Sequence, residues 1–169
     1  MRQLVLRFEL PDGLHIYDEP VPSGMVATSV EIEAPDGVRF EPMMAPPTRR
    51  LELPGLADPL QVWDGSVDLV VPFFANSGLV PLLKAGETSI AMTISVRYQA
   101  CDDERCFLPR THTLEVAVPI GFGVMPGFDG LEGRGATVVE MDSTSHMRRL
   151  LQRTADPDGG PGGDGHPEG

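Results

Sequence analysis

The sequence predicts an all-β sandwich. Three observations carry that expectation. Apolar residues recur at every second position in several short runs. Glycine and proline clusters separate those runs. The runs themselves show no helical period, so several short strands must pack face to face. Apolar residues make up 41% of the 169 positions but aromatics only 6%, so aliphatic side chains have to fill most of the core. A chain of this length makes one domain with at most a short extra segment.

The elements follow in order. Leu4, Leu6, Phe8 and Leu10 alternate with Val5, Arg7 and Glu9, the signature of a half-buried strand, and Pro11-Asp12-Gly13 ends it with turn chemistry. Thr28 to Ala34 alternates again, with Val30 and Ile32 on one face. Asp36-Gly37 then turns the chain, and Val38 to Phe40 is expected to pair back as a hairpin. Pro42, Pro46, Pro47 and Pro54 suit an irregular or edge segment, because proline has no N–H to give a ladder. Val67, Leu69, Val71 and Phe73 form another alternating run. Ile90, Met92, Ile94, Val96 and Tyr98 mark the clearest strand, over Thr88 to Tyr98. Leu114, Val116 and Val118 continue the pattern.

The sandwich is expected to span residues 1–120. A C-terminal extension over 121–154 reads as a Gly-rich loop, a strand over Thr137 to Met141, and a short helix. Ser143 or Ser145 would cap that helix, with Met147, Leu150 and Leu151 on one face. Residues 155–169 are mostly Gly, Pro and Asp and are expected to be disordered, since they bury too little to offset chain entropy.

The net charge of −12 argues against nucleic acid and anionic membrane surfaces, both of which need basic surface. No run approaches the roughly 18 apolar residues of a spanning helix, so direct membrane insertion is not expected. Met1 to Leu10 alternates instead of showing the charged, apolar and small-residue regions of a signal peptide. Two settings follow: the cytoplasm, or an extracytoplasmic compartment reached through an export segment upstream of Met1.

The chemistry-bearing segment is Tyr98-Gln99-Ala100-Cys101-Asp102-Asp103-Glu104-Arg105-Cys106-Phe107-Leu108-Pro109. Its two cysteines are the only ones in the chain and lie in a short connection between two patterned strands. A reversal there can bring their Cα atoms within the roughly 4.4–6.8 Å that a disulfide needs. Closing so short a loop stabilises a fold by only about 2 kcal/mol. Accessible short-loop bridges also tend to be exchangeable ones. Spacing alone leaves a passive staple and two free thiols open beside exchange. Asp102, Asp103 and Glu104 disfavour a thiolate and Arg105 favours one, which describes a slow nucleophile that reacts mainly when docked to a partner.

Zinc would need two more ligands, with His112 and an aspartate the near candidates, and no second short-spaced pair exists. A Cys–His hydrolase would use His112 or His15 as base, but His112 falls in register with Leu114, where a histidine is more often packed. No metal or cofactor is expected.

Tyr98-Gln99-Ala100-Cys101, Cys106, Pro109 and Thr111 together resemble the N-terminal domain of the DsbD thiol:disulfide interchange proteins. Leu14-His15-Ile16-Tyr17 with Pro22 and Gly24 resembles that family's early HxY and P-x-G segment, and Trp63 before Asp64-Gly65 stands where the family often has an aromatic followed by glycine. The spacing here is one residue shorter than in the best-known members, and Gln61-Val62-Trp63 replaces their phenylalanine and acidic pair.

The resemblance implies an immunoglobulin-like β-sandwich that takes electrons from a membrane electron carrier through a thioredoxin-like domain and passes them to extracytoplasmic thiol proteins. Cys101 and Cys106 would be the catalytic pair, with Cys106 partner-facing and Cys101 resolving. Tyr17, Trp63, Tyr98, Gln99, Phe107 and Pro109 would form the partner-binding surroundings, and Gln61 to Gly65 would be a loop covering the cysteines. Related domains occur attached to peroxiredoxin-like proteins. The competing expectation is therefore a non-catalytic interaction or regulatory domain for a peroxiredoxin-like partner, with a structural cysteine pair.

Overall fold

Period-two sequence becomes two opposed sheets. In the computed structural model, which describes residues 1–119 and 136–141, β1 (Arg2–Glu9) buries Leu4, Leu6 and Phe8 completely. It pairs antiparallel with β7 (Ser66–Ala75), whose Val67, Leu69, Val71 and Phe73 enter the same core. On the opposite sheet, β8 (Ser89–Tyr98) contributes Ile90, Met92, Ile94, Val96 and Tyr98, the face expected from its alternation. It lies between β3 (Ser29–Glu33) and β10 (Arg110–Pro119). Each large apolar side chain buried this way contributes roughly 1.5–3 kcal/mol. The all-β fold class holds.

Val38 to Phe40 does form a strand, β4 (Val38–Phe40), but it does not pair back on β3. It crosses to the other sheet and pairs with β7, Val38 opposite Ala75. Gly37 explains the crossing. Its φ is +92°, and its bare Cα lies against the backbone of Gly78 and Leu79 in the 3₁₀ turn Ser77–Leu82. Its carbonyl accepts a 2.8 Å bond from the Asn76 N–H. That close approach holds the chain beside β7 rather than β3.

A third sheet, in the order β5-β6-β2-β9, carries the cysteines. Its strands are β2 (His15–Tyr17), β5 (Arg49–Leu51), β6 (Leu60–Asp64) and β9 (Ala100–Cys101). Alternation splits it by face. Ile16, Trp63 and Ala100 enter the main core. Tyr17, Leu60, Val62 and Cys101 form a separate buried cluster with Val21, Met25, Leu51 and Leu53 around it.

β11 (Ala136–Glu140) pairs parallel with β1, and the Met141 N–H donates to the Arg7 carbonyl at 2.8 Å. Met141 is buried in the main core, so this part of the segment beyond 120 is continuous with the sandwich. The loop expected over 121–135, the helix expected after Ser143 or Ser145 and the tail expected over 155–169 lie outside the described residues.

Candidate functional site

A hairpin at the end of β9 builds the site. The Phe107 N–H donates to the Ala100 carbonyl and the Asp102 N–H to the Arg105 carbonyl, both at 2.9 Å. Cys101 and Cys106 therefore face each other between two bonded steps, the narrow kind of antiparallel pair. Their Cα atoms are 4.0 Å apart, tighter than the sequence-based window, and their sulfurs are joined in a disulfide.

The turn between them is built by Asp102. Its carboxylate accepts the N–H groups of Glu104 at 2.9 Å and Arg105 at 2.8 Å, with the Arg105 guanidinium at 3.5 Å. Burial opposes its charge, but those two N–H groups and Arg105 outweigh burial and hold the carboxyl below its ordinary range. One of the three acids is thus occupied inside the turn and does not simply repel a thiolate.

The two sulfurs have opposite surroundings. Cys101 is 1% exposed, within the cluster of Tyr17, Leu60 and Val62. Cys106 is exposed. One end of the disulfide thus belongs to a sealed residue and the other to an exposed one.

The other residues singled out from sequence divide into two groups. Tyr98 is in the main core, edge-on to Phe8 at 5.8 Å, and its hydroxyl lies 3.2 Å from His112 Nε2. Gln99 is buried as a clamp: its side-chain oxygen accepts from the Val26 N–H at 2.9 Å and its amide donates to the Phe107 carbonyl at 3.0 Å. That clamp fixes the arm bearing Cys106. Trp63 is 4% exposed, and its indole N–H donates to the Pro46 carbonyl at 2.8 Å. Tyr17 is buried beneath the disulfide. Tyr17 and Gln99 support the site from within, whereas Tyr98 and Trp63 belong to the main core. Phe107 is half-buried with the Arg105 guanidinium 5.9 Å from its ring centre, and Pro109 is exposed beside Leu108, which is 84% exposed. Phe107, Leu108 and Pro109 are the accessible apolar surface beside Cys106.

Gln61 to Gly65 is not a covering loop. Gln61 to Asp64 belongs to β6, hydrogen-bonded to β2 on one side and β5 on the other, and only Gly65 turns. Val62 is fully buried, which ties the segment into the sheet and leaves Cys106 open.

His15 acquires a role that the sequence only hinted at. Period two puts His15 and Tyr17 on one face of β2, and His15 sits directly opposite Cys101 in the ladder. His15 Nε2 lies 3.1 Å from the Tyr17 hydroxyl, which lies 3.7 Å from Cys106 Sγ. Burial lowers the His15 pKa and Arg49 lowers it further, against the raising effect of Asp103, Asp64 and Asp102. Burial also pushes Tyr17 up to about 12. At neutral pH the ring is uncharged and the phenol keeps its proton. His112 instead stacks parallel on Tyr98 at 5.8 Å.

The fold and site together define a class: an all-β domain that buries one cysteine of a short-loop disulfide and exposes the other. Residues 1–118 match the family described as thiol:disulfide interchange protein DsbD, N-terminal, and the chain belongs to that family. The solved N-terminal domain of Neisseria meningitidis DsbD in its reduced form is similar, with 15% identity, 67% of this chain and 74% of that chain covered, and a TM-score of 0.45. No curated protein matches the chain. Family membership gives the coarse activity, thiol–disulfide exchange, and the coarse partner, a thiol protein.

Proposed function

We propose that the Cys101–Cys106 pair relays two electrons from a thioredoxin-like reductant to target thiol proteins, with Cys106 as the partner-facing sulfur and Cys101 as the resolving one. The unequal exposure of the two cysteine residues carries this reading. A reductant thiolate attacks Cys106, Cys101 leaves as a thiolate, and the reductant's second thiol releases the dithiol form. The dithiol then attacks a target disulfide through Cys106 and is reoxidised when Cys101 closes on it. Phe107, Leu108 and Pro109 supply the apolar contact that seats a partner's own active-site rim over Cys106. The setting is extracytoplasmic, where target proteins carry disulfides to be reduced.

Trapping tests the assignment. The Cys101→Ser variant leaves Cys106 without a resolving thiol, so incubation with a thioredoxin-like protein that keeps only its nucleophilic cysteine, activated as the thionitrobenzoate disulfide, is expected to release thionitrobenzoate and accumulate a mixed disulfide on Cys106, read by intact mass. Cys106→Ser is expected to accumulate at least about tenfold less, because Cys101 is sealed in its cluster. Equal trapping by both variants, or trapping by neither, contradicts the reading.

A further inference from the structure

We propose that His15 and Tyr17 form a proton relay for Cys106, carrying its proton through the interior to water in the cavity lined by His15, Arg49, Asp64 and Asp103. This rests on the exchange reading above and names the acid–base groups that serve it. The use for a rear path follows from docking. A partner seated over Cys106 displaces the water around it, and a proton can then leave or arrive through the protein.

The geometry supplies such a path. Tyr17 Oη is 3.7 Å from Cys106 Sγ and 3.1 Å from His15 Nε2. Both side chains are nearly sealed, at 1% and 3% exposure, so the groups meet each other rather than water. Behind them lies a polar cavity of about 380 Å³, lined by His15 with Asp12, Arg49, Asp64 and Asp103. Arg49 and Asp64 are paired across it at 2.9 Å.

A phenol both donates and accepts, and an imidazole can do either at one nitrogen according to tautomer. In the disulfide the sulfur carries no hydrogen. Tyr17 therefore donates to it and accepts from the His15 Nε2–H. In the dithiol the polarity reverses: Cys106 S–H donates to Tyr17 Oη, and Tyr17 donates to neutral Nε2.

The reaction then balances. The Cys106 proton passes to Tyr17 as Tyr17's passes to His15, leaving a Cys106 thiolate, an imidazolium and an unchanged phenol; His15 then gives its proton to cavity water. The thiolate attacks one sulfur of the target disulfide. A Cys106–target bond forms, the target's S–S bond breaks, and the electron pair leaves on the target's other sulfur, which takes the proton of Cys101. The Cys101 thiolate closes on Cys106, expelling the second target sulfur as a thiolate that is protonated from water. Two electrons and two protons pass from the cysteine pair to the target.

The charged groups facing His15 fit this part. Arg49 on β5 opposes its protonation, while Asp64 on β6 and Asp102 and Asp103 in the turn favour it. Those three carboxylates stabilise the imidazolium while Cys106 is a thiolate, and the thiolate–imidazolium pairing lowers the midpoint of the thiol.

The test uses the full chain with Cys101→Ser, so that Cys106 is the only thiol, and follows its alkylation by iodoacetamide from pH 5 to 9. Half-maximal reactivity is expected below the ordinary thiol value of about 8.5. Adding Tyr17→Phe, which keeps the ring and removes only the hydroxyl, is expected to raise that midpoint by about one pH unit, roughly tenfold in thiolate at pH 7. Adding His15→Gln, which keeps a hydrogen bond to Tyr17 but accepts no proton, is expected to shift it likewise. Superimposable profiles for all three overturn the relay. A shift with Tyr17→Phe but none with His15→Gln also overturns it, leaving a hydroxyl that merely positions the sulfur. Mixed-disulfide trapping, scored separately, tells the two readings apart: unshifted profiles with efficient trapping sink the relay alone, and shifted profiles without trapping sink the exchange reading alone.

Discussion

Asp102 shows how much of this site depends on single side chains. Its carboxylate takes two backbone N–H groups that the hairpin would otherwise leave unpaired, the local capping to which aspartate is suited in turns. Asp102→Ala is expected to cost about 1 kcal/mol, by analogy with loss of a helix cap, read from the denaturant midpoint. The pH sign follows from the lowered pKa. A depressed carboxyl stabilises the fold fully above its unfolded value, about 3.9, and loses that contribution as pH falls through its lower folded value. The gap between wild type and Asp102→Ala is therefore expected to be full at neutral pH and to close below about pH 4. A gap that stays constant into acid would contradict the role given to the carboxylate. The closeness of the two cysteines was legible at this scale, because a short connection between strands can bring them together, though spacing left their role open. Depth was not: alternation says which face a side chain occupies, not what lies beyond it. Tyr98, Gln99, Trp63 and Tyr17, expected as partner-binding surroundings, are all buried, while Leu108 supplies exposed surface that no pattern marked.

Long strands and short ones differ in how well they announce themselves. β1, β7, β8 and β10 run for eight to ten residues, enough to establish a period of two. β2 has three residues and cannot establish one; β6 has five, and Gly65 alone parts it from β7, so Gln61 to Gly65 reads as a loop by analogy and folds as a strand. Pairing across distance is equally hidden. The crossing of β4 depends on Gly37 meeting a 3₁₀ turn some forty residues later in the chain, and nothing local encodes that meeting. Gly37→Ala tests it. A Cβ there would lie 2.7 Å from the Gly78 carbonyl carbon, on backbone already at φ +92°. The expected loss exceeds about 1 kcal/mol, measured by equilibrium unfolding, because both strain and overlap add. A loss of a few tenths of a kcal/mol would mean that the approach is not a constraint.

At the scale of the whole molecule, the sandwich separates its structural core from its redox cluster. The main core joins the sheets of β1 and β8, while Cys101 belongs to the smaller cluster on the far face of the third sheet. Opening the disulfide therefore leaves the main core untouched and releases a loop whose closure contributes only about 2 kcal/mol. The sequence supported that argument from loop length alone, but the unequal exposure of the two cysteine residues became visible only once the third sheet was assembled. The central claim is that this bond is made to be exchanged rather than to hold the fold. The reduction potential of the Cys101–Cys106 pair, measured by equilibration of the full chain against glutathione or dithiothreitol buffers, tests it most directly. A value above about −300 mV, within reach of thioredoxin-like couples and with the dithiol form still folded, is the expected result; a value well below about −300 mV, or unfolding on reduction, would mark the bond as a staple and contradict the account.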